Sequence, residues 1–485
     1  MKKALISLIP IIVLIAMLAF NVSILGSDSI QGASQVALLL ATGIAVWLSM
    51  WLFKVPWSAF EEGIKSNIGN VTSAIVILLL IGAISGTWTM SGIVPTMICY
   101  GVKVLSPSFF LPAACIICAV VSLMLGSSWT TIATVGVALL GIGKAEGFSD
   151  GLIAGAIISG AYFGDKISPL SDTTVLASSI VSTPLFSHIR YMLITTVPSF
   201  VITLIAFTVI GLSVTLETPA DMGLFTDVLS AKFHISPWLL VVPLITGVLI
   251  ARKTPALIVL ALSVVLASFA AIIFQPDIIR GIGQGTALAH GIQGPLSEWK
   301  IMLAGTVESI YNTVSLETGN AQVNELVMSR GMTGMLNTVY LIICAMCFGA
   351  CMRAGGMIDA LMKAMRKFTG NRVGLVASTV GTGATLNTFV CDQYLAIMLT
   401  ANIFKDIYED SGYENRLLSR SVEDSATVTS VLVPWNTCGM TQATILSTPT
   451  LVYLPYCFFN IISPLMSILV AATGYKIFKK KAPAA

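Results

Sequence analysis

Apolar residues in this chain come in long runs rather than in alternation, and polar residues collect in short clusters between them. The runs lie near 4–25, 34–53, 71–90, 109–125, 129–142, 151–164, 189–216, 237–250, 255–274, 336–352, 373–404, 425–446 and 452–478. A bilayer core takes about 20 apolar residues per helix, so the pattern predicts an all-α polytopic membrane fold with eleven to thirteen crossings. Several runs are too short or too polar to be plain lipid-facing helices, and these mark where the chain does something other than span.

The sharpest interruption is Gly160-Ala-Tyr-Phe-Gly164-Asp165-Lys166-Ile-Ser168-Pro169-Leu-Ser171-Asp172-Thr173-Thr174, which follows the apolar run GLIAGAIISG. Glycine and proline break a membrane helix and free backbone carbonyls from their usual partners. Two carboxylates and four hydroxyls share the ten residues Asp165 to Thr174. Hard oxygen donors suit an alkali cation, and a carboxylate can trade Na+ for H+. A polar loop outside the membrane would also hold two acids among serines and threonines. The apolar sequence on both sides favours the intramembrane reading.

A second cluster follows the Gly-rich run STVGTGAT: Thr385-Leu-Asn387-Thr388-Phe-Val-Cys391-Asp392-Gln393. Beyond it come Ser421-Val-Glu423-Asp424-Ser425-Ala-Thr427 and Pro434-Trp435-Asn436-Thr437-Cys-Gly439. In the first half, Gly126-Ser-Ser128-Trp-Thr-Thr131 is the partner of the asparagine stretch. Ser128 to Asp165 and Asn387 to Asp424 are each 37 residues, which suggests a repeat, and paired interrupted segments point to inverted repeats with a midplane site. Thr87, Trp88, Thr89 and Ser91 are expected to line the same cavity. Glu423 is read either as a helix cap or as the salt-bridge partner of Arg420. His188 and His290 read as loop residues and His234 as a segment end, which leaves proton exchange to carboxylates.

Composition narrows the class. Only 10% of the 485 residues are charged, 56% are hydrophobic and the mean hydropathy is +0.90. A soluble domain carries roughly 25% charged residues, so most of this surface meets lipid. The net charge of +3 implies no nucleic-acid surface. Nine cysteines all fall in apolar runs and read as small apolar filler rather than a disulfide or metal framework. No Ser/His pairing, HExxH, CxxCH or nucleotide loop stands out, which argues against an enzyme.

Cations set the orientation. Lys2, Lys3, Lys54, Lys65, Arg252, Lys253, Lys363, Arg366, Lys367, Arg372 and Lys479–Lys481 border the runs and are expected in the cytoplasm, as are both termini. The N-terminal run extends to about Leu25 without a clear cleavage site and reads as a retained span. The sequence divides into an N-terminal membrane half (1–275), an extracytoplasmic connecting segment (276–335) that mixes acids with few cations, and a C-terminal membrane half (336–485).

The run GDKISPLSDTT, Gly164 to Thr174, resembles the signature of the NhaC-type Na+/H+ antiporter family, within the wider ion transporter superfamily. Thr385 to Gly439 and SLETGNAQVNELVMSRGM, Ser315 to Met332, resemble it too, so the likeness covers nearly the whole chain. The resemblance implies inverted repeats, helical hairpins, an elevator-like motion, a homodimer and a place in a bacterial cytoplasmic membrane. It assigns Asp165, Ser168, Asp172, Thr173 and Thr174 to a first-half ion site and Asn387, Thr388, Asp392, Asp424 and Asn436 to the facing half. Asp165 and Asp172 are the leading Na+ ligands and exchanging acids; Asn387, Thr388 and Asn436 would coordinate neutrally.

The expected function is Na+/H+ antiport by alternating access, with no cofactor beyond the transported ions. The competitor is an Na+- or H+-coupled transporter of a small organic anion of the malate or lactate type, or of an amino acid. Helix N-termini at the breaks could hold its carboxylate. No arginine lies in either central motif, which weighs against that competitor.

Overall fold

Lipid offers no hydrogen bonds, so a backbone inside it must satisfy itself, and helices are the outcome for a single apolar chain. The computed structural model describes residues 2–25, 32–104, 106–213, 222–252, 254–292, 296–320, 323–324, 327–329, 331–360 and 370–479, and the extended elements among them are helices. Lys253, Glu325, Arg330, Lys363, Arg366, Lys367, Lys480 and Lys481 lie outside the described residues.

The helices run in order as α1 (Ile9–Leu25), α2 (Ala33–Phe53), α3 (Trp57–Met90), α4 (Ile93–Val104), α5 (Pro107–Leu125), α6 (128–145), α7 (Asp150–Ile167), α8 (Asp172–Ile180) and α9 (Leu185–Ser213). They continue as α10 (Met222–Lys232), α11 (Val241–Ala251), α12 (Ala256–Phe274), α13 (Pro276–Ala289), α14 (Glu298–Tyr311) and α15 (Leu336–Ala354). The chain closes with α16 (Arg372–Val390), α17 (Gln393–Asp410), α18 (415–432), α19 (Thr437–Ile445) and α20 (Phe458–Thr473). Among the described residues seven helices are long and apolar enough to cross a membrane, or up to nine if each of two bent pairs is one span. The other apolar runs form shorter helices that end at the polar breaks.

The connecting segment is structured rather than a plain loop. Helices α13 and α14 form a hairpin whose Gly283 and Gly305 bring the two backbones together, and α14 packs on α3. Trp88 on α3 donates its indole N–H to Ser263 Oγ on α12 at 3.0 Å. Thr87 and Thr89 donate to carbonyls of their own helix, so this group braces the α3 region.

The same series of helices occurs twice. Pro107 and Arg372, Ser128 and Gln393, Asp150 and Asn415, and Asp172 and Thr437 begin corresponding helices, and each pair stands 265 residues apart. Left-handed residues recur in that register: Gly126 with Cys391, Gly147 with Gly412, Ser182 with Ser447. Ser182-Thr183-Pro184 returns as Ser447-Thr448-Pro449. Two interhelical bonds correspond as well, Ser122 Oγ to the Ala161 carbonyl at 2.6 Å and Asn387 Nδ2 to the Ala426 carbonyl at 2.7 Å. This register corrects the pairing of Ser128 with Asn387, which are 259 apart. The polar residues sit at different heights in the two copies, so matching them by type misplaces the alignment by six residues, about 9 Å of helix.

Close packing of α5 on α7 rests on two glycines. A Cβ on Gly160 would meet the Cys115 carbonyl oxygen at 2.0 Å, and one on Gly164 the Ala119 oxygen at 2.2 Å. Small residues four apart let membrane helices approach to backbone contact, where dispersion replaces the absent hydrophobic drive.

Candidate functional site

Four breaks give the site its frame, and their chemistry is local. Pro169 and Pro434 have no N–H and push the residue before them out of the helical region; Ser168 and Val433 are accordingly extended. Each new helix then starts on a polar cap. Ser127 accepts from Thr130 N, Ser171 from Thr174 N, Asp392 from Leu395 N and Asn436 from Cys438 N. The breaks of each copy touch: Ser168 Oγ donates to the Leu123 carbonyl at 2.8 Å, and Trp435 Nε1 to the Thr388 carbonyl at 2.8 Å.

Asp165 ends α7 inside the protein. Ser128 Oγ donates to its Oδ2 at 2.8 Å, while its Oδ1 is buried with no protein partner. Thr174 Oγ1 donates to the Lys166 carbonyl at 2.9 Å, and Thr173 Oγ1 lies 2.9 Å from Ser171 Oγ. Those hydroxyls fix the break. Asp172 is exposed yet within electrostatic reach of Asp165; its Oδ1 accepts from Thr173 N at 2.9 Å and its Oδ2 from Tyr394 OH at 2.7 Å.

The second-copy residues form a tight network. Asn387 Nδ2 donates to the Ala426 carbonyl and, at 2.9 Å, to Thr429 Oγ1. Asn436 Nδ2 donates to the Asn387 carbonyl at 3.0 Å. Thr388 donates to the Ala384 carbonyl at 3.3 Å, and Asp392 is spent on its cap. The structure thus places Asn387 and Asn436 together, with Asp392 and Thr388 beside them on the break and Asp424 on the far side of α18.

Asp424 is fully buried on a π turn, Glu423–Thr427, within α18. Lys166, also fully buried, donates to its Oδ1, as does Thr195 Oγ1 at 3.0 Å. Lys166 further donates to Ser463 Oγ at 2.9 Å. This lysine follows Asp165 in the chain and is the site residue that sequence reasoning passed over. A lone cation inside GDKISPLSDTT was the available signal. Arg420 is not the partner of Glu423; its Nε lies 3.8 Å from Asp424 Oδ2, and its guanidinium sits 4.7 Å over the Tyr191 ring. One helical turn separates Arg420 from Asp424, and it brings those two groups to one face. His188 is likewise no loop residue: it is buried on α9 with Nδ1 2.8 Å from Ser419 Oγ.

Among the described residues no group of three or more His, Cys, Asp or Glu side chains is arranged to hold a metal ion. A cavity of about 100 Å³ lies apart from both acids, against Ser85, Thr89, Ala133, Lys144, Met335 and Thr444.

Apolar helices broken at four capped points around buried, paired charges make an ion-coupled membrane transporter. The chain belongs to the Na+/H+ antiporter family, whose model matches residues 3–179 and 160–475. It is similar to the Na+/H+ antiporter NhaC of Alkalihalophilus pseudofirmus, 34% identical over 449 residues that cover 92% of each chain. It is similar also to the malate-2H+/Na+-lactate antiporter of Bacillus subtilis, at 34% over 452 residues covering 92% of this chain and 91% of the relative. The arginine/ornithine antiporter ArcD of Halobacterium salinarum is 31% identical over 480 residues, 98% of this chain and 93% of the relative.

Proposed function

We propose that the protein exchanges Na+ for H+ across a bacterial cytoplasmic membrane by alternating access, with Asp165 as the carboxylate that the two ions share. The observation that carries this reading is Asp165 itself: one oxygen is held by Ser128, and the other is buried without a protein partner. An ionised carboxylate in that position needs a counter-charge, which Na+ or a proton supplies. Competition for one group couples the opposed fluxes without direct contact between the ions. Asn387 and Asn436 hold the facing break in shape, and Asp172 joins the two copies at the surface through Tyr394.

The doubled series of helices supports two repeats of inverted topology, with the lysine and arginine borders facing the cytoplasm. A second reading, coupled exchange of a small organic acid or amino acid, is favoured by one observation: buried Arg420 donates no hydrogen bond to protein. The test is reconstitution in liposomes with an internal pH dye. Proton movement on addition of Na+ alone supports Na+/H+ exchange. A strict requirement for malate, lactate or an amino acid supports the second reading.

A further inference from the structure

Glu423 is expected as a cap or as the ion-pair partner of Arg420; it stands where the α-helical part of α18 passes into the π turn, and it forms no ion pair with Arg420. Its side chain is fully buried, neither carboxylate oxygen has a protein donor within 3.5 Å, and the Thr427 hydroxyl is near enough to interact with it. Arg420, the nearby cation in sequence, lies against Asp424 and Tyr191 and makes no hydrogen bond to Glu423. A carboxyl group removed from water with so little hydrogen bonding is costly to keep, even when neutral. Such a group in a folded protein therefore calls for a function.

Its position is not arbitrary. Lys166 bonds to Asp424, the residue after Glu423, and Asp165 is the residue before Lys166, so the one ion pair brings two unpartnered carboxylates to the same interior region. Glu423 is within electrostatic reach of Lys166, Asp165 and Asp424. Thr427, four residues on, has a buried hydroxyl whose neighbour is the Glu423 carboxyl. All the unpartnered atoms contributed by Asp165, Glu423 and Thr427 are oxygens, the donor type that hard alkali cations take.

The backbone at Glu423 differs between the two copies. Glu423–Thr427 is a π turn, whereas the corresponding residues of the first copy, 158–162, continue a regular α-helix. Single π turns inside helices concentrate at functional sites because the extra residue re-aims its neighbours. The counterpart of Glu423 is Ile158 and the counterpart of Asp165 is Ser430. Each copy therefore supplies an acid where the other is neutral. The buried charges are Lys166 and Arg420 against Asp165, Glu423 and Asp424, which leaves the cluster one positive charge short when all are ionised.

We infer that Glu423 is the second carboxylate of the cation site, facing Asp165 from the other copy and binding one dehydrated Na+ between them with the Thr427 hydroxyl. This rests on the Na+/H+ reading above and names a ligand that neither the family match nor the relatives' names assign.

The experiment measures Na+ binding to purified full-length protein by isothermal titration calorimetry at one alkaline pH, with exchange assayed in proteoliposomes. Glu423→Gln is expected to weaken Na+ binding about ten-fold or more, since one of two charges facing a desolvated ion is lost. Glu423→Asp should retain part of the affinity, and Thr427→Val should weaken it about five-fold, one lost oxygen contact. Should Glu423→Gln fail to fold, the Asp and Val variants decide: unchanged Na+ affinity in both overturns the assignment. Unchanged affinity in a folded Glu423→Gln does the same, and shows a neutral structural carboxyl. Wild-type protein that moves no protons with Na+ sinks the Na+/H+ reading itself, a separate result.

Discussion

Lys166 donates to Asp424 across 258 residues of sequence, and both side chains are fully buried. The pair fastens the end of α7 to the π turn in α18, with Thr195 of α9 and Ser463 of α20 bonded into it. Four helices thus meet on two charges, one residue away from each unpartnered acid.

Removing one partner leaves the other charge alone in the interior. Lys166→Met should destabilise the protein by about 3–5 kcal/mol, and Asp424→Asn by somewhat less because Thr195 can still donate. The double variant Lys166→Met/Asp424→Asn should be more stable than Lys166→Met alone. Thermal midpoints in detergent check the order; a double variant less stable than both singles contradicts the pairing.

Asp165 and Asp172 should separate by function. Asp165→Asn is expected to abolish Na+-driven proton movement while leaving the fold intact. Asp172→Asn should keep exchange, because that carboxylate is exposed and spent on Thr173 and Tyr394. Dye-loaded proteoliposomes read both, and full loss in Asp172→Asn with retention in Asp165→Asn would reverse the assignment.

Ser128→Ala removes the hydroxyl that holds Asp165 Oδ2. The expected loss is about 1 kcal/mol in Na+ affinity, or five-fold, with little change in stability. A calorimetric Na+ titration measures it, and a large stability loss without an affinity change would make Ser128 structural only.

Gly164→Val should disrupt the α5–α7 contact, since the added carbon meets a backbone oxygen that cannot rotate away. The cost is about 1–3 kcal/mol of overpacking strain, and expression with a lowered thermal midpoint reports it. Gly247→Ala, where a Cβ meets nothing, is the matched control and should be neutral.

Much of this was legible without coordinates, for reasons that differ by element. Long apolar runs with few charges dictate membrane helices because hydration and lipid burial depend on composition alone. Pro169, Pro434 and the glycines near them dictate where helices stop, because a missing N–H acts locally. Ser127, Ser171, Asp392 and Asn436 cap the next helix through residues two or three positions away, again a local effect. Asp165 was singled out because an acid amid apolar residues is expensive to place.

What tertiary structure decided was which polar groups meet. Helices apolar on several faces carry little periodicity, so their sequence does not say which side faces a neighbour. Only packing turned Lys166 toward Asp424, left Glu423 and one oxygen of Asp165 without partners, and put Asp172 at the surface. Only the coordinates fixed the 265-residue register, because the two copies share backbone elements and place their acids at different heights. Sequence by itself determined a broken-helix membrane protein with acids at the breaks; the ion pair and the two unpartnered carboxylates beside it are contacts between segments far apart in the chain.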